Sequence, residues 1–186
     1  MKVLFLGYDD SRLLRFLSER CDVMQTMEPL PLAEIEAFGP SMIVSYGYKH
    51  IIKKDVVDAY DGRIVNLHIS YLPWNRGMFP NVWSVIDATP TGVTIHLVDE
   101  GIDTGDILFQ REVGIDEADT LSSSYLKLRD AIEDLFEDSW DRISERSFSR
   151  VKQTHEGTFH LKNQSEELFR ELGMLNDWEI TVGELR

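Results

Sequence analysis

The sequence holds a single cysteine, Cys21. It can therefore close no internal disulfide and build no cysteine metal site, as suits a reducing cytoplasm. No apolar run approaches the ~20 residues needed to span a bilayer. Its opening residues, Met1-Lys2-Val3-Leu4-Phe5-Leu6, stop short of a long apolar segment with a cleavage site, and read as a first strand rather than an export signal. Positive charge is scarce. Nineteen Lys and Arg stand against 33 Asp and Glu, giving a net charge of -14 and a pI near 4.7. That balance opposes unaided approach to nucleic acid or to an anionic membrane, and leaves only a local cation such as Arg76 for a single phosphate. Internal repeats and low-complexity segments are missing as well. What is present is 42% hydrophobic residues in a chain of 186, enough to bury the core of one globular domain.

The apolar pattern alternates between strand and helix periods. Residues 2–6 form a short run that meets Gly7, and Asp10 or Ser11 is placed to cap the amphipathic stretch 12–20, with Leu13, Leu14, Phe16 and Leu17 on its apolar side. Residues 21–26 suggest a second strand, and Pro29 and Pro31 break the chain before a short helix at 32–38. Residues 41–46 read as a buried strand, 53–59 as a helical turn and 63–68 as the next strand. This order argues for an α/β fold, an open parallel sheet with helices on both faces. Pro80-Asn81 opens a helix reaching Ala88 whose Val82, Val85 and Ile86 form a stripe facing the sheet. Residues 91–98 read as an alternating strand, joined through a Gly- and Asp-rich turn at 99–105 to a strand at 107–113, so that an antiparallel hairpin closes this edge. A long acidic helix over about 120–145 carries Leu121, Tyr125, Leu128, Ile132, Phe136, Trp140 and Ile143 at helical spacing. Beyond it the pattern weakens: a basic strand-like piece at 149–153, a turn or strand at 157–160 and a short helix at 168–172. The expected division is a catalytic domain at 1–145 and an extension at 146–186 that packs on the core or at a subunit interface, which leaves room for a homodimer.

The stretch 65–108 concentrates the polar chemistry. On a strand, side chains two apart point the same way, so Asn66 and His68 share one face while Val65 and Leu67 take the other. An amide and an imidazole at a strand's end are placed to grip a carbonyl oxygen that gains negative charge, and Asp103 is able to orient and charge the imidazole. Taken singly these residues have plainer readings: His68 a core histidine, Asn66 a turn residue, Asp103 turn chemistry. His96 shares a face with Thr94 and Val98 and reads as a structural histidine beside the site. His155 and His160 read as ordinary tail residues.

Asn66-Leu67-His68, Leu72-Pro73-Trp74-Asn75-Arg76-Gly77, Thr91-Gly92-Val93-Thr94-Ile95-His96 and Asp103-Thr104-Gly105-Asp106-Ile107-Leu108 together resemble the formyltransferase family that uses 10-formyltetrahydrofolate. That family includes glycinamide ribonucleotide, methionyl-tRNA and nucleotide-linked aminosugar formyltransferases. The strong resemblance covers residues 41–115 and a weaker one reaches back to Met1. It implies a Rossmann-like formyltransferase fold with a truncated N-terminal half, shorter before Asn66 by about one strand and helix. It implies a catalytic trio of Asn66, His68 and Asp103. It places the folate co-substrate on Tyr48, Lys49, His50, Ile51 and Ile52, with Val98, Asp99, Gly101 and Ile102, and it calls for no metal. The chain departs from the family in having Ile69 where proline commonly follows the histidine, and His50 where arginine is frequent.

The acceptor site is expected along Tyr71, Trp74, Asn75, Arg76, Gly77 and Phe79, where Trp74 and Phe79 are suited to stack on a ring and Arg76 to hold a phosphate. The wording Tyr71-Leu72-Pro73-Trp74-Asn75-Arg76-Gly77, with Gly157-Thr158-Phe159-His160-Leu161-Lys162, is most similar to members acting on nucleotide-linked aminosugars. The additional barrel of the tRNA-directed members is not expected within these 186 residues. The expected activity is formyl transfer to a primary amine of such a sugar. The alternatives are a formyltetrahydrofolate hydrolase, with water as nucleophile, and a non-catalytic folate-binding or interaction protein on the same fold.

Overall fold

The structure, a computed structural model, describes residues 1–171, 173 and 178–186. Six strands form one sheet: β1 (Lys2–Gly7), β2 (Asp22–Thr26), β3 (Met42–Tyr46), β4 (Ile64–His68), β6 (Gly92–Leu97) and β7 (Ile107–Glu112), in the order β2-β1-β3-β4-β6-β7. A second, two-stranded sheet pairs β5 (Arg76–Gly77) with β8 (Phe159–His160). The helices are α1 (Arg12–Ser18), α2 (Leu32–Phe38), α3 (Lys54–Ala59), α4 (Pro80–Ile86), α5 (Leu121–Ser144), α6 (Lys162–Glu171) and α7 (Val182–Leu185).

Strands β1 to β4 run parallel because α1, α2 and α3 return the chain over the sheet between them, whereas β6 and β7 run antiparallel to their neighbours. Burial on both faces explains the near-continuous apolar runs of β1 and β3. Val3, Phe5, Val44, Val65 and Leu67 face one side, where Leu13 and Leu17 of α1 and Leu128, Ile132 and Phe136 of α5 cover them. Leu4, Leu6, Ile43 and Ile64 face the other, under Ile35 of α2 and Val56 and Val57 of α3. Of the two caps expected for α1, Ser11 serves, its Oγ accepting from the Leu13 amide at 3.1 Å. Thr120 and Ser123 close a reciprocal capping box at the start of α5.

Five readings of the pattern need correction. β6 is buried along its whole length rather than alternating, because α5 covers one face and the loop after β4 the other. Val82 and Val85 of α4 do not pack on the sheet; they meet Leu121, Phe169 and Val182, a separate cluster supplied by the start of α5 and by α6 and α7. Tyr125 is off the α5 stripe, at 42% exposed. The strand-like piece at 149–153 reduces to one bridge between Ile107 and Val151, and the helix expected at 168–172 starts earlier, at Lys162; Leu172 lies outside the described residues.

Candidate active site

β4 and β6 pair antiparallel so that Asn66 stands opposite His96 and His68 opposite Thr94. Ile64, Asn66 and His68 share one face, and there the apolar cover of α2 and α3 gives way to polar side chains. Asp103 reaches this face from the turn at 99–105. Asp99 builds that turn by accepting from the Gly101 amide at 3.0 Å and from the Thr104 hydroxyl at 2.6 Å, while Asp103 itself adopts a left-handed φ of 54°. One carboxylate oxygen of Asp103 accepts from Asn66 Nδ2 at 3.2 Å and lies 3.4 Å from His96 Nε2. The other accepts from the Gly77 amide at 2.9 Å and lies 3.7 Å from His68 Nδ1. The three residues expected to act together therefore surround one point.

The ring nitrogens are ordered by backbone carbonyls. His68 Nε2 donates to the Asn75 carbonyl at 3.1 Å, which turns Nδ1 towards Asp103. His96 Nδ1 donates to the Leu97 carbonyl at 2.7 Å, leaving Nε2 beside Asn66 Nδ2 at 3.1 Å. His96 is thus more than a neighbour, since it touches both Asn66 and Asp103. Burial pushes the Asp103 carboxyl up, but the charge of His68, the hydrogen bond and charge of His96 and the Gly77 amide outweigh it and hold the group well below the usual carboxylate range.

The acceptor-side loop follows β4. Thr94 anchors it, its hydroxyl donating to the Ser70 carbonyl at 2.7 Å and accepting from the Leu72 amide at 3.1 Å. Gln110 donates to the Leu72 carbonyl at 2.7 Å. Asn75 has no exposed surface: its amide donates to Thr89 Oγ1 at 2.7 Å and its side-chain oxygen accepts from Thr158 Oγ1 at 3.0 Å, so the side chain braces the loop. Gly77 has φ 91° and presents its amide to Asp103, and a Cβ there would run into the His160 carbonyl. Tyr71 and Trp74 are half-buried in the same loop. Phe79 turns away, packing on Phe169 at 5.0 Å and Trp178 at 6.1 Å between ring centres. Arg76 is bonded by Gln153 Oε1, at 3.1 Å from Nε and 2.9 Å from Nη2, and borders an open cleft with Ile102, Thr104 and Phe159.

The expected folate residues divide. Tyr48, Ile51 and Ile52 line a small apolar cleft with Leu6, Leu30 and Val56, and Val98 packs against the same group. Lys49 instead lies over the Tyr8 ring at 6.0 Å, and His50 meets the Tyr48 ring at 5.3 Å. Asp99 and Gly101 shape the turn that carries Asp103 and Ile102. Among the described residues no group of three or more His, Cys, Asp or Glu side chains is arranged to hold a metal ion.

Sequence reasoning missed the part played by the tail. β8 pairs with β5, Thr158 bonds Asn75, and Gln153 bonds Arg76 and the backbone of the Asp103 turn. His160 is no ordinary tail residue: its ring stacks on Trp83, 3.8 Å between centres and 4° from parallel, and its Nε2 lies 2.9 Å from Asp87. The motif Gly157-Thr158-Phe159-His160 carried some signal of this; Gln153 carried none.

Known proteins resemble this chain in sequence and in fold. A formyl transferase family model matches residues 15–138. The dTDP-4-amino-4,6-dideoxyglucose formyltransferase of Mycobacterium bovis is 34% identical over 151 residues, 81% of this chain and 61% of the relative, so the chain spans about three fifths of that curated protein's length. A methionyl-tRNA formyltransferase of Thermodesulfovibrio yellowstonii is 30% identical over 129 residues, 69% of this chain and 42% of the relative. The crystal structure of the formyltransferase PseJ from Anoxybacillus kamchatkensis, in complex with UDP-4,6-dideoxy-4-formamido-L-AltNAc and tetrahydrofolate, aligns with a TM-score of 0.90 and 38% identity over 100% of both chains. The family match over two thirds of the sequence, set on this fold, shows that the chain belongs to the formyl transferase family.

Proposed function

We propose that the protein transfers a formyl group from 10-formyltetrahydrofolate to the amino group of a nucleotide-linked aminosugar. The observation that carries this reading is the convergence on Asp103 of Asn66 at 3.2 Å and His68 at 3.7 Å, beside an open cleft at Arg76. The folate supplies the formyl carbon: the amine nitrogen bonds to it, its bond to the folate nitrogen breaks, and the proton shed by the amine ends on that leaving nitrogen. The carbonyl oxygen, as it gains charge, takes the place of the Asn75 carbonyl on His68 Nε2 and of His96 on the second N–H of Asn66 Nδ2, a contribution of roughly 3 kcal/mol for one well-aligned donor. Asp103 orients the imidazole and stabilises positive charge that develops on it. Held so far below the ordinary carboxylate range, Asp103 is a weak proton acceptor, and its service is electrostatic.

The apolar cleft at Tyr48, Ile51 and Ile52 suits the folate ring. Arg76 with Ile102 and Phe159 suits an acceptor that offers phosphate and an apolar face. The nucleotide-sugar product and the tetrahydrofolate named with PseJ, and the dTDP-aminosugar named for the mycobacterial relative, support the same reading. The lone Cys21 suits a cytoplasmic setting. The test is to incubate the protein with 10-formyltetrahydrofolate and a panel of UDP- and dTDP-aminosugars, and to look by mass spectrometry for one added formyl group. Folate turnover in water alone, with no acceptor in the panel modified, would make the protein a deformylase; folate binding with no turnover at all would make it a binding protein.

A further inference from the structure

We propose that Gln153 is a positioning residue that ties the acceptor side of the cleft to the turn carrying Asp103; this rests on the transferase reading above. Gln153 is half-buried and uses both ends of its amide. Its Nε2 donates to the Asp103 carbonyl at 2.9 Å and to the Gly105 carbonyl at 2.8 Å. Its Oε1 accepts from Arg76 Nε at 3.1 Å and from Nη2 at 2.9 Å. Two N–H groups and two lone pairs are thus all engaged, the full capacity of a carboxamide.

The two ends hold things that need holding. Asp103 sits at a φ of 54°, a region a residue with a side chain enters at a cost, so its backbone needs outside support to stay there. Gln153 grips that backbone directly at Asp103 and again two residues on. At the other end it receives a guanidinium edge from Arg76, whose third bond, from Nη1 to the Glu156 carbonyl at 3.3 Å, comes from the same tail segment. Gly77, next to Arg76, donates its amide to the Asp103 side chain, so backbone and carboxylate of Asp103 are fixed from one direction. A single side chain from beyond α5 therefore sets the distance between the cation at the cleft's edge and the carboxylate that orients His68. Displacement of a reacting group by about 1 Å is enough to cost up to about a hundredfold in rate.

Two substitutions separate the ends. Gln153→Glu keeps an oxygen for Arg76 but sets a second oxygen against the Asp103 and Gly105 carbonyls, whereas Gln153→Ala removes both grips. Each is assayed for kcat and for acceptor KM, and by hydrogen–deuterium exchange of the amides at 99–106, after circular dichroism confirms the fold; Gln153→Met replaces any variant that does not fold. The expected result is a fall in kcat of roughly ten- to a hundredfold in both variants, with faster exchange at 99–106, and a rise in acceptor KM that is larger in Gln153→Ala than in Gln153→Glu. Wild-type kcat and wild-type exchange in Gln153→Glu would overturn the proposal, as would a loss of kcat with exchange at 99–106 unchanged. Should the wild-type protein modify no acceptor while both variants still loosen 99–106, the grip on the Asp103 turn stands and the transferase reading falls.

Discussion

Asn66 and Asp103 make different demands on the same few ångströms, and each predicts its own phenotype. Asn66 spends one N–H on Asp103 and lies within 3.1 Å of His96, so its amide is aimed before any reaction begins. Replacing it by alanine removes a fixed donor, and kcat should fall about a hundredfold. Folate affinity should survive, because the apolar cleft at Tyr48 and Ile52 is built by other elements. Equal losses in folate binding and kcat would count against that separation. Asp103 predicts a pH effect on stability. Its folded pKa lies below the ordinary value of 3.8, so its contribution is complete above about pH 3.8 and drains as pH falls below that, where the unfolded chain takes up its proton first. Urea unfolding of the wild-type protein and Asp103→Asn from about pH 6 to about pH 2.5 should show a stability gap that is constant above about pH 4 and narrows below it. A gap that does not change with pH would mean the carboxylate's charge contributes nothing to the fold.

Among the elements, α5 carries the clearest conflict between packing and charge. Its Glu133 is 6% exposed and accepts from the Tyr46 hydroxyl at 3.0 Å, at the end of β3 where the Tyr48 loop begins. Burial raises the Glu133 carboxyl; the Tyr46 hydrogen bond and the charges of Arg129 and Arg12 pull it back without cancelling the rise. A raised folded pKa means the contribution to stability is full below the ordinary 4.5 and is lost as pH rises through the folded value. Glu133→Gln keeps an acceptor for Tyr46 and removes the buried charge. At about pH 7.5 it should raise Tm by about 2–4 °C, and near pH 4 the gain should vanish. A Tm that falls at both pH values would show the charge to be compensated. The helix that holds Glu133 was legible in the sequence because Leu128, Ile132 and Phe136 recur at helical spacing over a long stretch. The trio at Asn66, His68 and Asp103 was legible through the motifs that resemble the formyltransferase family; the period of two along β4 by itself placed only Asn66 and His68 on one face. The tail was not, because few apolar contacts hold it at the site. Gln153 bonds two carbonyls and a guanidinium, Thr158 bonds Asn75, and His160 stacks on Trp83, and none of these repeats along the chain. The α4 stripe was legible as a stripe, but its partners, Phe169 and Val182, lie in that same tail, where no periodicity points to them.

At the scale of the whole molecule, charge is the dominant feature and it opposes the proposed substrate. A net charge of -14 repels a nucleotide-linked sugar at long range, while Arg76 offers attraction only at the cleft. Arg76 is well suited to act at that short range. The partners it is seen to bond, the Gln153 amide and the Glu156 carbonyl, are neutral, so its charge is positioned by them without being cancelled. The two effects act over different distances, and salt tells them apart. Raising ionic strength from about 0.01 M to about 0.15 M shortens the screening length from about 30 Å to about 8 Å, which removes most of the long-range repulsion and less of a contact made inside the cleft. The expected outcome is that kcat/KM for the sugar nucleotide rises severalfold over this range, while an uncharged amine acceptor, turned over by the same site, shows little change. Arg76→Ala should lower kcat/KM for the sugar nucleotide at every salt concentration and leave the upward trend in place. Should kcat/KM fall with salt instead, the encounter is governed by cations close to the cleft, and the molecule's net charge is irrelevant to how its substrate arrives.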